Sequence, residues 1–152
     1  MHVWRITRRP FQALDGDGAR LYGGRWNNAG RAVVYSSETL SLAALEYLVH
    51  IEPTLAPDDL VAMQLDVPDD PGLGAAADAV QFPDPDWRGY PAPEWQAALG
   101  DLWIADGSFL WLAVPSAIVP EEHNVLLNVA HPRMRDVRVL ATRDFAFDRR
   151  LL

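Results

Sequence analysis

Apolar and polar positions along the chain follow two periods, and the switches between them mark the elements. Residues 2–6 (HVWRI) read as a short first strand, with Arg8, Arg9 and Pro10 as its polar exit. Residues 31–36 (RAVVYS) are β-branched with an aromatic near the end, the composition of a second strand. In residues 60–67, Val61, Met63, Leu65 and Val67 fall on one side and Ala62, Gln64 and Asp66 on the other, which predicts a half-buried strand. Residues 109–114 (FLWLAV) are apolar without interruption, so both faces of that strand are expected to be covered, up to an abrupt end at Pro115 and Ser116. The tail adds residues 137–140 and 145–147 as two further short strands.

Helical spacing is clearest over residues 39–51 (TLSLAALEYLVHI), where Pro53 supplies the stop signal. This helix is apolar nearly all round, which predicts burial on every side. Pro93 fits the first turn of a second helix through Trp95, Ala98, Leu99, Leu102 and Trp103, weakened by Gly100. Residues 14–30 carry five glycines and two asparagines, a turn-rich stretch whose backbone can approach a ligand closely. Residues 68–93 hold six prolines, a long irregular excursion of the kind that covers a site or marks an insertion. Strands and helices in mixed order, without βαβ alternation, predict an α+β fold: a single compact domain with a mixed or antiparallel sheet and a buried helix.

Composition narrows the chemistry. A chain of 152 residues that is 49% hydrophobic has core enough for one domain. With no cysteine, disulfides, a thiol nucleophile and Cys-based metal sites are excluded. All 13 basic residues are arginine, so a Schiff-base lysine and a phosphate-loop lysine are excluded as well. A net charge of −8 repels nucleic acid phosphates and argues against direct DNA or RNA binding by this chain. No exported leader and no apolar run of membrane-spanning length occur, so a cytoplasmic protein that does not enter a membrane is expected.

Few residues remain that could carry a reaction. The stretch DGDGARLYGGRWN has Leu21 where a dinucleotide fingerprint needs glycine. What survives is Arg25, presented by Gly23 and Gly24 and followed by Trp26 and Asn27. An arginine fork can bind a pyrophosphate bidentately and an aromatic neighbour can stack on a base, although a hairpin turn with a surface arginine fits the same letters. Glu46 is the only formal charge between Leu40 and Val49. A buried carboxylate needs a partner or a ligand, so Glu46 reads either as a paired core residue or as a functional one. His50, one turn later, reads as a satisfied core histidine. Ser116 reads as a turn former, since VPSAI lacks the G-x-S-x-G elbow of a hydrolase serine. His123 and His131 lack metal-ligand spacing, so no metal is expected.

The blocks GGRWN (23–27), VVYSS (33–37), SLAALEYLVH (41–50), AVPSAIV (113–119), HNVLLN (123–128) followed by His131 and Pro132, and the terminal FAFDRRL occur in order along the chain. Together they resemble the RES-domain family over nearly all of residues 1–152, with one departure, Val129, where many members have proline. The arginine, glutamate and serine that give the family its name fall on Arg25, Glu46 and Ser116. The resemblance implies an ADP-ribosyltransferase-like fold and the toxin of a bacterial toxin–antitoxin system. It implies NAD+ as substrate, without a metal, cleaved at the nicotinamide–ribose bond.

On that reading Glu46 stabilises an oxocarbenium-like transition state and Arg25 holds the pyrophosphate. Tyr35 packs on the nicotinamide or its ribose and Ser116 orients the nicotinamide end, while Gly24, Trp26, Asn27 and Asn124 complete the substrate-binding set. The implied partner is a cognate Xre-type antitoxin that supplies DNA binding, in a complex with room for oligomerisation. Two alternatives remain: transfer of ADP-ribose to a specific protein, and a non-catalytic interaction module in which Arg25, Glu46 and Ser116 form a buried polar network.

Overall fold

The computed structural model describes residues 1–152. Its strands are β1 (His2–Arg8), β2 (Val33–Ser37), β3 (Leu60–Asp66), β4 (Gly74–Ala76), β5 (Trp111–Pro115), β6 (His123–Asn128) and β7 (Arg138–Asp144). They form one seven-stranded sheet in the order β4-β5-β6-β2-β1-β3-β7. Every neighbouring pair is antiparallel except β4 with β5, so the sheet is mixed, as the α+β reading expects. Three helices accompany it: α1 (Asp17–Tyr22), α2 (Leu40–Leu48) and α3 (Glu94–Asp106). None is long and apolar enough to cross a membrane.

Strand alternation sends side chains to two separate cores. On one face Val3, Val34, Val61, Met63, Leu65, Val125 and Leu127 pack together beneath Leu14, Met134 and Val137. On the other, Ile6, Leu60 and Ala62 meet Ala43 of α2 and Phe147. Further along that second face Val33, Leu112, Val114 and Leu126 meet Trp26 with Trp103 and Ile104 of α3. The second face thus carries both long helices.

Several expectations are corrected. Helix α2 is buried only through Leu42 and Ala43, and Leu45 and Val49 are 37% and 57% exposed, because the sheet covers one side of the helix and nothing covers the other. The helix ends at Leu48, before the Pro53 stop. Instead of two strands the tail forms one, β7, a fully exposed edge. Phe145 and Phe147 leave the sheet, and Phe147 packs 6.2 Å from the ring of Tyr47. Strand β6, not predicted by its alternation, sits inside the sheet between β2 and β5. At Val129 the turn closes on Asn128, whose Oδ1 and carbonyl accept from the Ala130 and His131 amides.

Gly100 does not merely weaken α3. A Cβ there would lie 1.7 Å from the Trp26 carbonyl oxygen, so glycine is what lets the helix backbone lie against the loop that bears Arg25.

Candidate active site

Thr39 caps α2 by accepting from the Leu42 amide at 3.1 Å, which fixes where the helix begins and so which residues face the sheet. Leu42 packs inward, and Glu46, four residues later on the same face, reaches Ser116 just after β5 and Asn124 near the start of β6. One carboxylate oxygen, Oε1, accepts from Ser116 Oγ at 2.8 Å and from Asn124 Nδ2 at 2.5 Å. Its other oxygen, Oε2, has no partner in the protein and is not buried.

Both donors are themselves held. Ser116 follows β5 directly and is 0% exposed, and its Oγ accepts from the Ile118 and Val119 amides at 3.0 and 3.1 Å. That hydroxyl is fully engaged inside the protein, so it touches Glu46 and no ligand. Asn124 lies opposite Ser37 in the β2–β6 ladder, and Ser37 Oγ donates to Asn124 Oδ1 at 2.7 Å, which turns the amide nitrogen toward Glu46. Hydrogen bonds to an ionised carboxylate are the strong kind, and they hold the charge in one position.

The opposite charge comes from the loop between α1 and β2. Gly23 sits at φ +71, and a Cβ on Gly24 would meet Tyr35 Oη at 2.7 Å, so the glycine pair lets the loop fold onto Tyr35. Tyr35 Oη accepts from the Trp26 amide at 3.1 Å and donates to Asn27 Oδ1 at 2.8 Å. Burial pushes its phenol pKa up, so it stays neutral. Asn27 Nδ2 makes hydrogen bonds to the carbonyls of Ala19, Asn28 and Arg31.

Arg25 is clamped from outside the loop: Nη1 donates to Trp87 O at 2.9 Å and to Gln96 Oε1 at 3.0 Å, and Nη2 to Gly89 O at 3.0 Å. Desolvation pulls its pKa below the ordinary arginine value, and the field of Glu46 acts in the opposite direction. Arg88, between the two clamping carbonyls, donates to the carbonyls of Ala117 and Ile118 just after Ser116. Residues 87–89 therefore strap the Arg25 side of the site to the Ser116 side. The length of the proline-rich excursion fits either a cover over a site or an insertion.

The structure joins Glu46, Ser116 and Asn124 through hydrogen bonds and brings Arg25 within reach of their field. Gly24 and Tyr35 shape the loop. Trp26, 2% exposed, has its indole in the core against Phe82 and Trp95, and the buried Asn27 amide is committed to the loop, so neither side chain is open to a ligand. His50 is exposed instead of sitting in the core. His123 Nδ1 lies 2.9 Å from Glu38 Oε1 near the surface, and His131 Nδ1 accepts from the Arg133 amide as a cap. Sequence reasoning missed Gln96, Arg88 and Ser37. Only Gln96 left a signal: a polar residue on the face that α3 buries through Gly100, Trp103 and Ile104.

The RES domain family model matches residues 2–148. A Toxin Res from Photorhabdus laumondii subsp. laumondii is 36% identical, over 100% of this chain and 97% of its own length. A Prs ADP-ribosylating toxin from a Sphingobium species is 34% identical, over 98% of this chain and 95% of its own. The fold is similar to that of a chain in the crystal structure of the M. tuberculosis MbcT–MbcA toxin–antitoxin complex, with TM-score 0.76 and 18% identity over 95% of this chain and 83% of that one. The chain belongs to the RES domain family of toxins.

Proposed function

We propose that the chain is a growth-arresting toxin of a toxin–antitoxin pair that consumes NAD+ by breaking its nicotinamide–ribose bond. The observation that carries this reading is Glu46, held at Oε1 by Ser116 and Asn124 with Oε2 left free, within the field of Arg25. When the bond from C1′ to the pyridinium nitrogen breaks, its electron pair leaves with nicotinamide, which becomes neutral. The departing group therefore needs no proton. The ribose becomes oxocarbenium-like, and a fixed carboxylate beside it stabilises the charge as it develops.

Within this reading Glu46 is the catalytic group and Arg25 holds the pyrophosphate through its unengaged donors. Tyr35 sets the loop on which Arg25 rides and packs its ring toward the nicotinamide end. Ser116 and Asn124 are positioning residues that act through Glu46. An oxygen of water, inorganic phosphate or a protein side chain then bonds to C1′ and releases its proton to solvent.

A second reading, transfer of ADP-ribose to a protein, shares the donor half of the site and is favoured by the Sphingobium relative, an ADP-ribosylating toxin by name. A cognate antitoxin, of Xre type and with the DNA-binding surface that a chain of net charge −8 lacks, would keep the activity in check in the cytoplasm. Purified protein given NAD+ labelled in the ADP-ribose half is expected to release free labelled product. Label found only on protein favours transfer, and no turnover by intact folded protein favours a non-catalytic module. In cells, expression alone is expected to lower NAD+ and arrest growth, with rescue by the product of the adjacent small gene; arrest at normal NAD+ points to protein modification.

A further inference from the structure

Helix α3 reads the Arg25 loop almost residue by residue. Gln96 Oε1 accepts from Arg25, Gly100 lies under the Trp26 carbonyl, and Asp101 accepts from the Asn28 amide at 3.0 Å and from Asn28 Nδ2 at 2.8 Å. Positions 96 and 100 share one face of the helix and 101 borders it, so α3 forms a rigid bed for the loop. The Arg25 clamp has an unusual chemistry. All three acceptors, Trp87 O, Gly89 O and Gln96 Oε1, are neutral.

A guanidinium has five N–H donors. Three are engaged here, two on Nη1 and one on Nη2. The two that remain are Nε–H and the second Nη2–H. An Nε–H and an Nη2–H presented together can meet two oxygens of one phosphate. Nε makes no hydrogen bond in the protein and is not buried.

Gln96 is 0% exposed, and its own Nε2 is buried without a partner. Glutamate at this position would pair with Arg25 as an ion, at the cost of burying a second carboxylate oxygen where Nε2 now stands without a partner. It would also neutralise the guanidinium. We infer that Gln96 is the positioning residue of an anion site: its neutral amide fixes Arg25 without compensating its charge, leaving the Nε–H and Nη2–H donors for a phosphate of the substrate. The inference deepens the NAD+ reading and rests on it for the identity of that substrate.

Gln96→Glu separates this role from a structural one, because it preserves shape and strengthens the contact with Arg25. The expected result is a KM for NAD+ raised tenfold or more, with kcat within threefold of wild type, in a protein that circular dichroism shows to be folded. A KM within twofold of wild type overturns the inference. Should Gln96→Glu not fold, Gln96→Met loosens the clamp while leaving the charge. It is expected to raise KM at least threefold, and an unchanged KM there overturns the inference equally.

Inorganic pyrophosphate, followed as a rise in Tm, is the probe that does not depend on turnover. Protection of wild type that Gln96→Glu abolishes supports the anion site even if the protein proves not to consume NAD+, in which case the dinucleotide reading alone falls. Equal protection of both proteins, or none of wild type, overturns the site.

Discussion

Glu46 and Arg25 are the two charges of the proposed site, and opposite kinds of partner hold them. The carboxylate is fixed by side chains at the ends of regular elements: Ser116, just after β5 with its amide donating to Glu122 O, and Asn124, near the start of β6 in antiparallel register with Ser37. The guanidinium is fixed by two backbone carbonyls of an irregular segment and one amide from α3. Ladder geometry leaves the first half little freedom. The second half depends on how a proline-rich strap and a helix settle against a loop. The negative side is thus set by the sheet, and the positive side by packing onto it.

The sharpest way to break this comparison is to remove charge from the rigid half. Glu46→Gln retains shape and one acceptor oxygen, so the fold is expected to persist, while turnover of NAD+ falls by about 10²-fold or more, the usual loss for a positioned electrostatic group. A rate within threefold of wild type rejects Glu46 as the catalytic carboxylate. On the other half, Arg25→Lys retains charge but loses the planar fork, and three acceptors placed for that plane are left poorly met. KM for NAD+ is expected to rise roughly thirtyfold, the worth of one charge-assisted hydrogen bond at about 2 kcal/mol. An unchanged KM rejects bidentate phosphate binding.

The same contrast explains what could be read from the letters. Strand β3 announced itself through alternation, and β2 and β5 through β-branched, aromatic or unbroken apolar runs, but β3 is buried on both faces instead of half-buried, because α2 and Phe147 cover the side that carries Leu60 and Ala62. Glu46 stood out because a lone charge on an apolar helix is anomalous, and the RES resemblance put Ser116 beside it. Their contact follows from the end of β5 facing α2. The burial of α2 was misjudged for a physical reason: Leu45 and Val49 are apolar yet face no part of this chain, and hydropathy does not say what covers a surface. The Arg25 clamp left almost no trace. Backbone carbonyls have no letter, and the trace that exists, Gln96, is 71 residues away from the arginine it holds. Trp26 and Asn27 misled in the other direction, since adjacency to Arg25 suggested ligand contact where the chain uses them to pin the loop.

Packing of the positive half can be tested without touching a charge. On propensity alone Gly100→Ala stabilises a helix by about 1 kcal/mol. Against the Trp26 carbonyl the added methyl has no room, and overpacking of this kind costs roughly 1–3 kcal/mol. The expected outcome is a lower Tm together with a raised KM, because α3 is pushed off the loop that carries Arg25. A higher Tm would show that the close approach relaxes freely and that α3 does not set the position of Arg25.

The smallest effect is expected at Ser116, and it tests how rigid the negative half is. Ser116→Ala removes one of the two donors to Glu46 Oε1 and leaves Asn124 in place. It also deprives the Ile118 and Val119 amides of their acceptor, so stability falls too, by about 1 kcal/mol, which for a chain of this size lowers Tm by roughly 2–4 °C. If the carboxylate is positioned by both donors, turnover slows roughly tenfold, equivalent to 1.4 kcal/mol, with KM little changed. No covalent intermediate on Ser116 is expected, since its hydroxyl is buried, already engaged and without a histidine to activate it. A fall in Tm with unaltered kcat would make Ser116 a turn former alone and leave Asn124 as the residue that aims the carboxylate. Trapping of ADP-ribose on Ser116 would overturn the assignment of Glu46 as the group that meets the reacting ribose.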